Sequence, residues 1–395
     1  MKLCKSREGR NRLIYIAIYL LINIAYGLCA TEYLQAYMLE SGLSMGMVGI
    51  YGTVSQTAAL LAYALYPRCK KNGGEHRFFC RMSMLYALYP LMYAVSGLFS
   101  SPIAIFLCMA GGACLLSGVG GFRSTSEFAL TPSLFPRTQY AQVIGWGGIL
   151  GGGVALAFSL LGMMVFDSKN IYTLFFLTAG VCTIGTALLA PRYRCDATAE
   201  QSQNGMSFAE MFQKLSSRKY IALFFPHLIR GIAMGGMYYI LAVTLPNVEI
   251  NSALLVPATV CGTMLANWMF LFLSRHIPAR GLIVAVNGIC AVCMVVLPLA
   301  RAAWLYLGIY ILYYISKVLS ENTVPMGVLR STSQADLPFV SSIRMLCTST
   351  ASALTTLTLA PLAEKLPVGA IPVFAAIIFV ITSLLYARQF DDRYE

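Results

Sequence analysis

Arg123 and Glu127 stand four residues apart in GGFRSTSEFALTP, 120–132, and Lys317 and Glu321 repeat that spacing 194 residues later in ISKVLSENTVP. On a helix, residues four apart share a face and opposite charges there can meet. Both pairs lie in long apolar runs. A charge near the centre of a bilayer costs roughly 2.5 to 3.5 kcal/mol, so these side chains are expected to face protein or water and not lipid. Ser126 and Ser320 directly precede the two acids, a second element of the repeat. Glu127 and Glu321 each have a cation one turn away, which stabilises the ionised carboxylate and suits a gate or a substrate contact. Glu32, in CATEYLQAYML, has no basic residue within two helical turns. Desolvation without a counter-charge favours the neutral carboxyl, and Glu32 is therefore the candidate proton carrier. Two alternatives stay open: Glu32 paired with Arg230, and Arg123 with Glu127 serving only to steady the inner end of their helix. Tyr33, Tyr37, Tyr238 and Tyr239 can bind a solute's hydroxyls or rings, or anchor at the membrane interface. His227 is a lone imidazole, the usual mark of a satisfied helix contact.

The elements that carry these residues follow from composition. Of 395 residues, 58% are hydrophobic and 11% charged, with a mean hydropathy of +0.70. Apolar runs long enough to cross a ~30 Å hydrocarbon core recur along the chain. Twelve spans are predicted: 13–38, 45–66, 78–99, 103–130, 142–166, 171–190, 220–245, 251–274, 281–299, 303–328, 342–363 and 368–387. The runs are apolar on every face, which excludes the alternation of a membrane β-barrel. The expected fold class is an all-α polytopic membrane protein.

The net charge of +12 does not imply a nucleic-acid partner, because the basic residues alternate by loop. Twenty-one Lys and Arg fall at the ends and on one set of loops, against Lys169, Arg301 and Lys365 on the other. That bias places both termini in the cytoplasm. Most of the twelve cysteines lie inside apolar runs and form no disulfide framework; Cys290 and Cys293 have a C-x-x-C spacing but no second pair and no nearby His, so no metal site is expected. The basic start and the run after it are read as a retained first helix.

Between 191 and 219 the composition turns polar. Ser207 and Glu210 have capping-box spacing, and Phe208, Met211, Phe212 and Leu215 follow at helical intervals, predicting a short amphipathic helix on the inner membrane surface. The expected organisation is a six-helix bundle over 1–190, a cytoplasmic linker over 191–219 and a second six-helix bundle over 220–395.

Six spans, a polar linker and six spans resemble the major facilitator superfamily of secondary transporters over the whole chain. TPSLFPRTQYAQVIGWGGILGGG, 131–153, is similar to that superfamily's inner loop after helix four and its Gly-rich helix five. The loop 66–79 keeps the basic cluster of the superfamily's loop-two signature without its Gly and Asp pattern, and helix five lacks the Gly-Pro of proton-coupled drug antiporters. Its glycines are expected to let helices pack closely, not to bind phosphate. The resemblance implies that spans one, four, seven and ten line a central substrate cavity. Glu32, Arg123, Glu127, Arg230, Lys317 and Glu321 all fall on those four spans. Arg344, near the inner end of span eleven, can snorkel to the headgroups.

The function expected from these residues is alternating-access transport of a small polar organic solute, as a proton-coupled symporter. Efflux of drugs or sugars is the alternative within transport. A membrane enzyme is disfavoured because His76, His227 and His276 are scattered and no metal-spaced cluster exists, and a solute sensor because no large soluble domain is present. The proton gradient is the expected energy source, with no cofactor. The expected partners are the solute and the lipid bilayer, not nucleic acid, and the expected setting is a monomer in a bacterial inner membrane.

Overall fold

The computed structural model describes residues 6–29, 34, 37–38, 40–43, 45–69, 74–164, 169–194, 213, 218–244, 247–250, 254–334, 336–363 and 365–389. Among them there are helices and turns and no strand. Among the described residues, fifteen α-helical segments make up twelve rods, nine of them long and apolar enough to cross a membrane. The fold is an all-α polytopic membrane architecture.

The segments are α1 (Arg7–Leu28), α2 (Met45–Cys69), α3 (Glu75–Tyr86), α4 (Tyr89–Ser96), α5 (Pro102–Ala113), α6 (Gly120–Leu134), α7 (Tyr140–Met164) and α8 (Lys169–Leu189), then α9 (Arg218–Met237), α10 (Ile240–Thr244), α11 (Leu255–His276), α12 (Ala279–Val296), α13 (Ala303–Ser331), α14 (Leu337–Ala363) and α15 (Ala370–Gln389). α1 starts six residues before the predicted span, because Ser6 caps it: its hydroxyl accepts from the Gly9 N–H at 3.0 Å. Of the amphipathic helix predicted over 208–215, all but Gln213, which is helical and exposed, lies outside the described residues.

Three predicted spans are interrupted. Span three is α3 and α4, parted at Ala87 and Leu88 ahead of Pro90. Proline has no N–H to give to the carbonyl four residues back, and its ring crowds that carbonyl. Span four is α5 and α6 joined by a π-helical stretch, Cys114–Val119. Span seven is α9 and α10, parted at Tyr238 and Tyr239.

The chain divides into two compact units, Met1–Gly205 and Met206–Glu395. In the first, α1 packs on α7 and α8, α2 on the rod of span four, and α3 with α4 on α8 and α6. In the second, α9 packs on α14 and α15, α11 on α13, and α12 on α15 and α13. Counted by span, the first unit pairs one with five, two with four and three with six. The second pairs seven with eleven, eight with ten and nine with twelve. The same helix pairing therefore occurs twice, as an internal repeat requires.

Glycine sets the tightest of these contacts. A Cβ on Gly151 of α7 would stand 2.7 Å from the Leu20 carbonyl oxygen of α1, and one on Gly235 of α9 2.7 Å from the Ser352 oxygen of α14. Gly147 and Gly231, one turn earlier, face Ile16 and Thr348 in the same way. Small residues four apart let two backbones touch in a bilayer, where no hydrophobic force draws helices together. Span five supplies the glycines in one unit and span seven in the other.

Candidate functional site: buried charge in each unit

In the first unit, Arg123 and Glu127 lie on α6 and pair at 3.1 Å between Nη2 and Oε2. Both are buried, Arg123 to 3% exposure and Glu127 to 8%. The guanidinium lies 5.3 Å from the Phe79 ring centroid and 5.4 Å from that of Tyr86, both on α3. Aromatic faces of this kind add cation–π attraction. Ser126 donates to the Glu75 carbonyl at the start of α3 at 3.2 Å, and the buried Tyr66 hydroxyl of α2 donates to the Glu75 carboxylate. The pair is thus enclosed by helices of its own unit. The charges compensate each other, while the Arg123 Nε and Nη2 and the Glu127 Oε1 have no hydrogen-bond partner.

Asn11 was not singled out by its sequence, yet it is fully buried. Its amide donates to the carbonyls of Leu134 and Arg194 at 3.3 and 3.0 Å and accepts from the Arg194 N–H at 3.0 Å. One side chain thereby satisfies a carbonyl in the last turn of α6 and ties α1 to the segment after α8.

Tyr37 is buried in the same unit. Its hydroxyl accepts from Ser96 at 2.9 Å, and its ring meets Tyr172 and Phe176 at 5.4 and 5.5 Å. The ring is a core contact of the bundle and not an open surface. Glu32 and Tyr33 lie outside the described residues.

In the second unit, Arg230 of α9 is 6% exposed. Its Nη1 donates to Ser320 of α13 at 2.8 Å, and its guanidinium lies 5.7 Å from the Phe379 ring centroid on α15. One turn earlier on α9, His227 is also buried. Its Nδ1 is 2.6 Å from the Tyr386 hydroxyl, its carbonyl accepts from Thr348 at 3.1 Å, and its Nε2 has no partner. Lys317 is half-buried, with its ammonium 4.8 Å from the Tyr314 ring centroid. Among the described residues Lys317 and Glu321 form no ion pair, unlike Arg123 and Glu127. Tyr238 and Tyr239 occupy the break in span seven: Tyr238 is 48% exposed, and the Tyr239 hydroxyl donates to the Thr356 carbonyl at 2.7 Å.

Sequence reasoning passed over the tyrosines of α13. Tyr306, Tyr310 and Tyr313 are buried along one side of α13, the helix that also carries Lys317. Tyr306 and Tyr310 stack with planes 7° apart, and their hydroxyls meet Thr244 of α10 and Thr259 of α11 at 2.8 and 2.9 Å. The i, i+4, i+7 spacing in YLGIYILYYISK was the available signal. Tyr306→Phe removes one buried hydrogen bond and is expected to cost about 1 kcal/mol, read as a lower unfolding midpoint in detergent.

The backbone is similar to that of several solved transporters. Against the fucose:proton symporter FucP of E. coli the TM-score is 0.72 at 14% identity, covering 98% of this chain and 100% of that one. A bacterial homologue of the iron transporter ferroportin, in an outward-facing state, gives 0.70 at 12% identity, with 97% and 99% covered. The human organic anion transporter MFSD10 gives 0.73 at 12% identity, with 97% and 100% covered. The chain has the major facilitator superfamily fold. No protein-family model and no curated protein matches the sequence.

Proposed function

We propose that this chain is a secondary active transporter that moves a small polar organic solute by alternating access, as a proton-coupled symporter. One observation carries the reading. In a fold shared with transporters of a sugar, a metal and organic anions, the charges well inside the spans fall on one, four, seven and ten. Ionisable groups at membrane depth are costly and mark solute or proton pathways. Within that set the roles differ. Arg123 and Glu127 are a brace inside their own unit, since each already compensates the other. Arg230, Lys317 and Glu321 are the solute-facing set. Glu32 carries the proton, and both termini lie in the cytoplasm, consistent with the distribution of basic residues.

The test is proton flux in proteoliposomes. Adding the transported solute from a metabolite library is expected to acidify the lumen, and Glu32→Gln is expected to abolish that flux while the purified protein stays folded. Undiminished flux in Glu32→Gln removes the proton role from Glu32. Saturable uptake with no accompanying proton removes the symport reading.

A further inference from the structure

We infer that the solute carries an anionic group, an organic carboxylate, and that Arg230 is its anchor, with Lys317 as the second cation. The inference rests on the transport reading above and narrows it.

Two of the buried arginines, Arg123 and Arg230, are solvated in opposite ways. Arg123 has a carboxylate at 3.1 Å and two aromatic faces. Arg230 is withdrawn from water almost as completely, yet its partners among the described residues are a neutral hydroxyl and one ring. A guanidinium offers five N–H donors in a planar fork, and Ser320 takes one. A buried charge left without a counter-charge is strongly unfavourable, and a protein that keeps one has a use for the missing partner. Arg344 on α14 and His227 on α9 lie close enough to influence one another electrostatically and add no negative charge.

The charge balance of the second unit points the same way. Its described acids are Glu249, Glu321 and Asp336. Glu249 is exposed after α10, and Asp336 is held by Ser333 at 3.0 Å in the turn before α14. Glu321 alone lies at the level of Arg230 and Lys317, and neither cation forms an ion pair with it. Ser320, the Arg230 contact, is three residues from Lys317, so both cations meet α13 within one turn. Arg230, Lys317, the Glu321 carboxylate that forms an ion pair with neither, and the half-buried ring of Tyr314 make a locus in which positive charge is in excess. A carboxylate matches the guanidinium fork bidentately and removes that excess.

The inference is tested on the full-length protein in nanodiscs by thermal unfolding. The probes are lactate, glutamate, benzoate and citrate, each beside its neutral amide, with inorganic phosphate as a further arm. At least one carboxylate is expected to raise the midpoint where its amide does not, since a ligand of the folded state stabilises it. Arg230→Gln is expected to raise the midpoint of the empty protein and to weaken binding of that carboxylate ten- to a hundredfold. Lys317→Gln weakens it less, and Arg230→Lys restores part of the loss. Stabilisation by amides as strong as by acids overturns the inference, as does phosphate alone acting. So does a lowered empty midpoint in Arg230→Gln, which marks the guanidinium as already compensated. Failure of all four acids together with saturable uptake of a neutral solute overturns the anion while leaving transport standing. Absence of saturable uptake of any solute overturns transport itself.

Discussion

Arg123→Met is expected to lower the unfolding free energy by about 3 to 5 kcal/mol, and Glu127→Gln by a similar amount, because each leaves the other's charge buried and alone. The double variant Arg123→Met/Glu127→Leu is expected to recover most of that loss, since two apolar side chains of similar volume replace the pair without an uncompensated charge. The coupling energy from this cycle should be several kcal/mol, well above the ~0.2–1 kcal/mol of an exposed pair. Denaturant unfolding in detergent measures it. Because both residues face α3 inside their own unit, the double variant should also keep saturable uptake. Loss of uptake at full stability would move the pair from brace to binding element. Arg230→Gln carries the opposite sign in the same assay, so the two arginines test each other's assignment.

That contrast was hidden in the sequence. The i, i+4 spacing, the preceding serine and the equivalent span all match between 123–127 and 317–321. In the structure Ser126 donates to the Glu75 backbone of span three, whereas Ser320 accepts from Arg230 of span seven. The difference has a local cause. Span four contains the π-helical stretch Cys114–Val119 before its charges, and α13 runs without interruption from Ala303 to Ser331. One residue added to a helix turns everything after it by about 100°, since a turn takes 3.6 residues. Arg123 is thereby directed at Phe79 and Tyr86 of its own unit. Nothing in CLLSGV announces a widened turn, so the motif was legible and its direction was not.

The rods themselves were legible for a simple reason. A segment apolar on every face for twenty residues has one stable form in a bilayer, and periodicity need not be read at all. Interruptions were readable only where the backbone is chemically altered. Pro90 marks the break in span three, but Tyr238 and Tyr239 break span seven without a proline at the break. Asn11 and the α13 tyrosines were missed because their value lies in partners far along the chain: Leu134 and Arg194 for the first, Thr244 and Thr259 for the others. Burial in the bundle decided Tyr37 in the same way. Its neighbours Ser96, Tyr172 and Phe176 come from two other rods.

Gly231→Leu and Gly235→Leu are expected to abolish folding of the second unit, and the alanine variants decide whether close packing is the reason. Two effects of opposite sign compete at a helical glycine. Replacing Gly by Ala inside a helix gains about 0.8 to 1 kcal/mol, because glycine loses the most backbone freedom on folding. Against that stands the space available. A Cβ at Gly235 falls 2.7 Å from the Ser352 carbonyl oxygen and 2.7 Å from the Thr355 Cβ, and one at Gly231 runs into the Thr348 carbonyl oxygen. Backbone atoms of α14 cannot swing aside as a flexible side chain does, so α9 and α14 must separate along their whole contact. Overpacking of this kind typically costs about 1 to 3 kcal/mol, enough to reverse the sign. Gly288 of α12 and Gly308 of α13 supply the control, since nothing lies within 4 Å of a Cβ at either. Gly288→Ala and Gly308→Ala should therefore be neutral or stabilising while Gly231→Ala and Gly235→Ala destabilise, all read as unfolding midpoints in one detergent. If all four alanine variants shift alike, helix propensity governs and the α9–α14 seam is not the contact that holds this unit together.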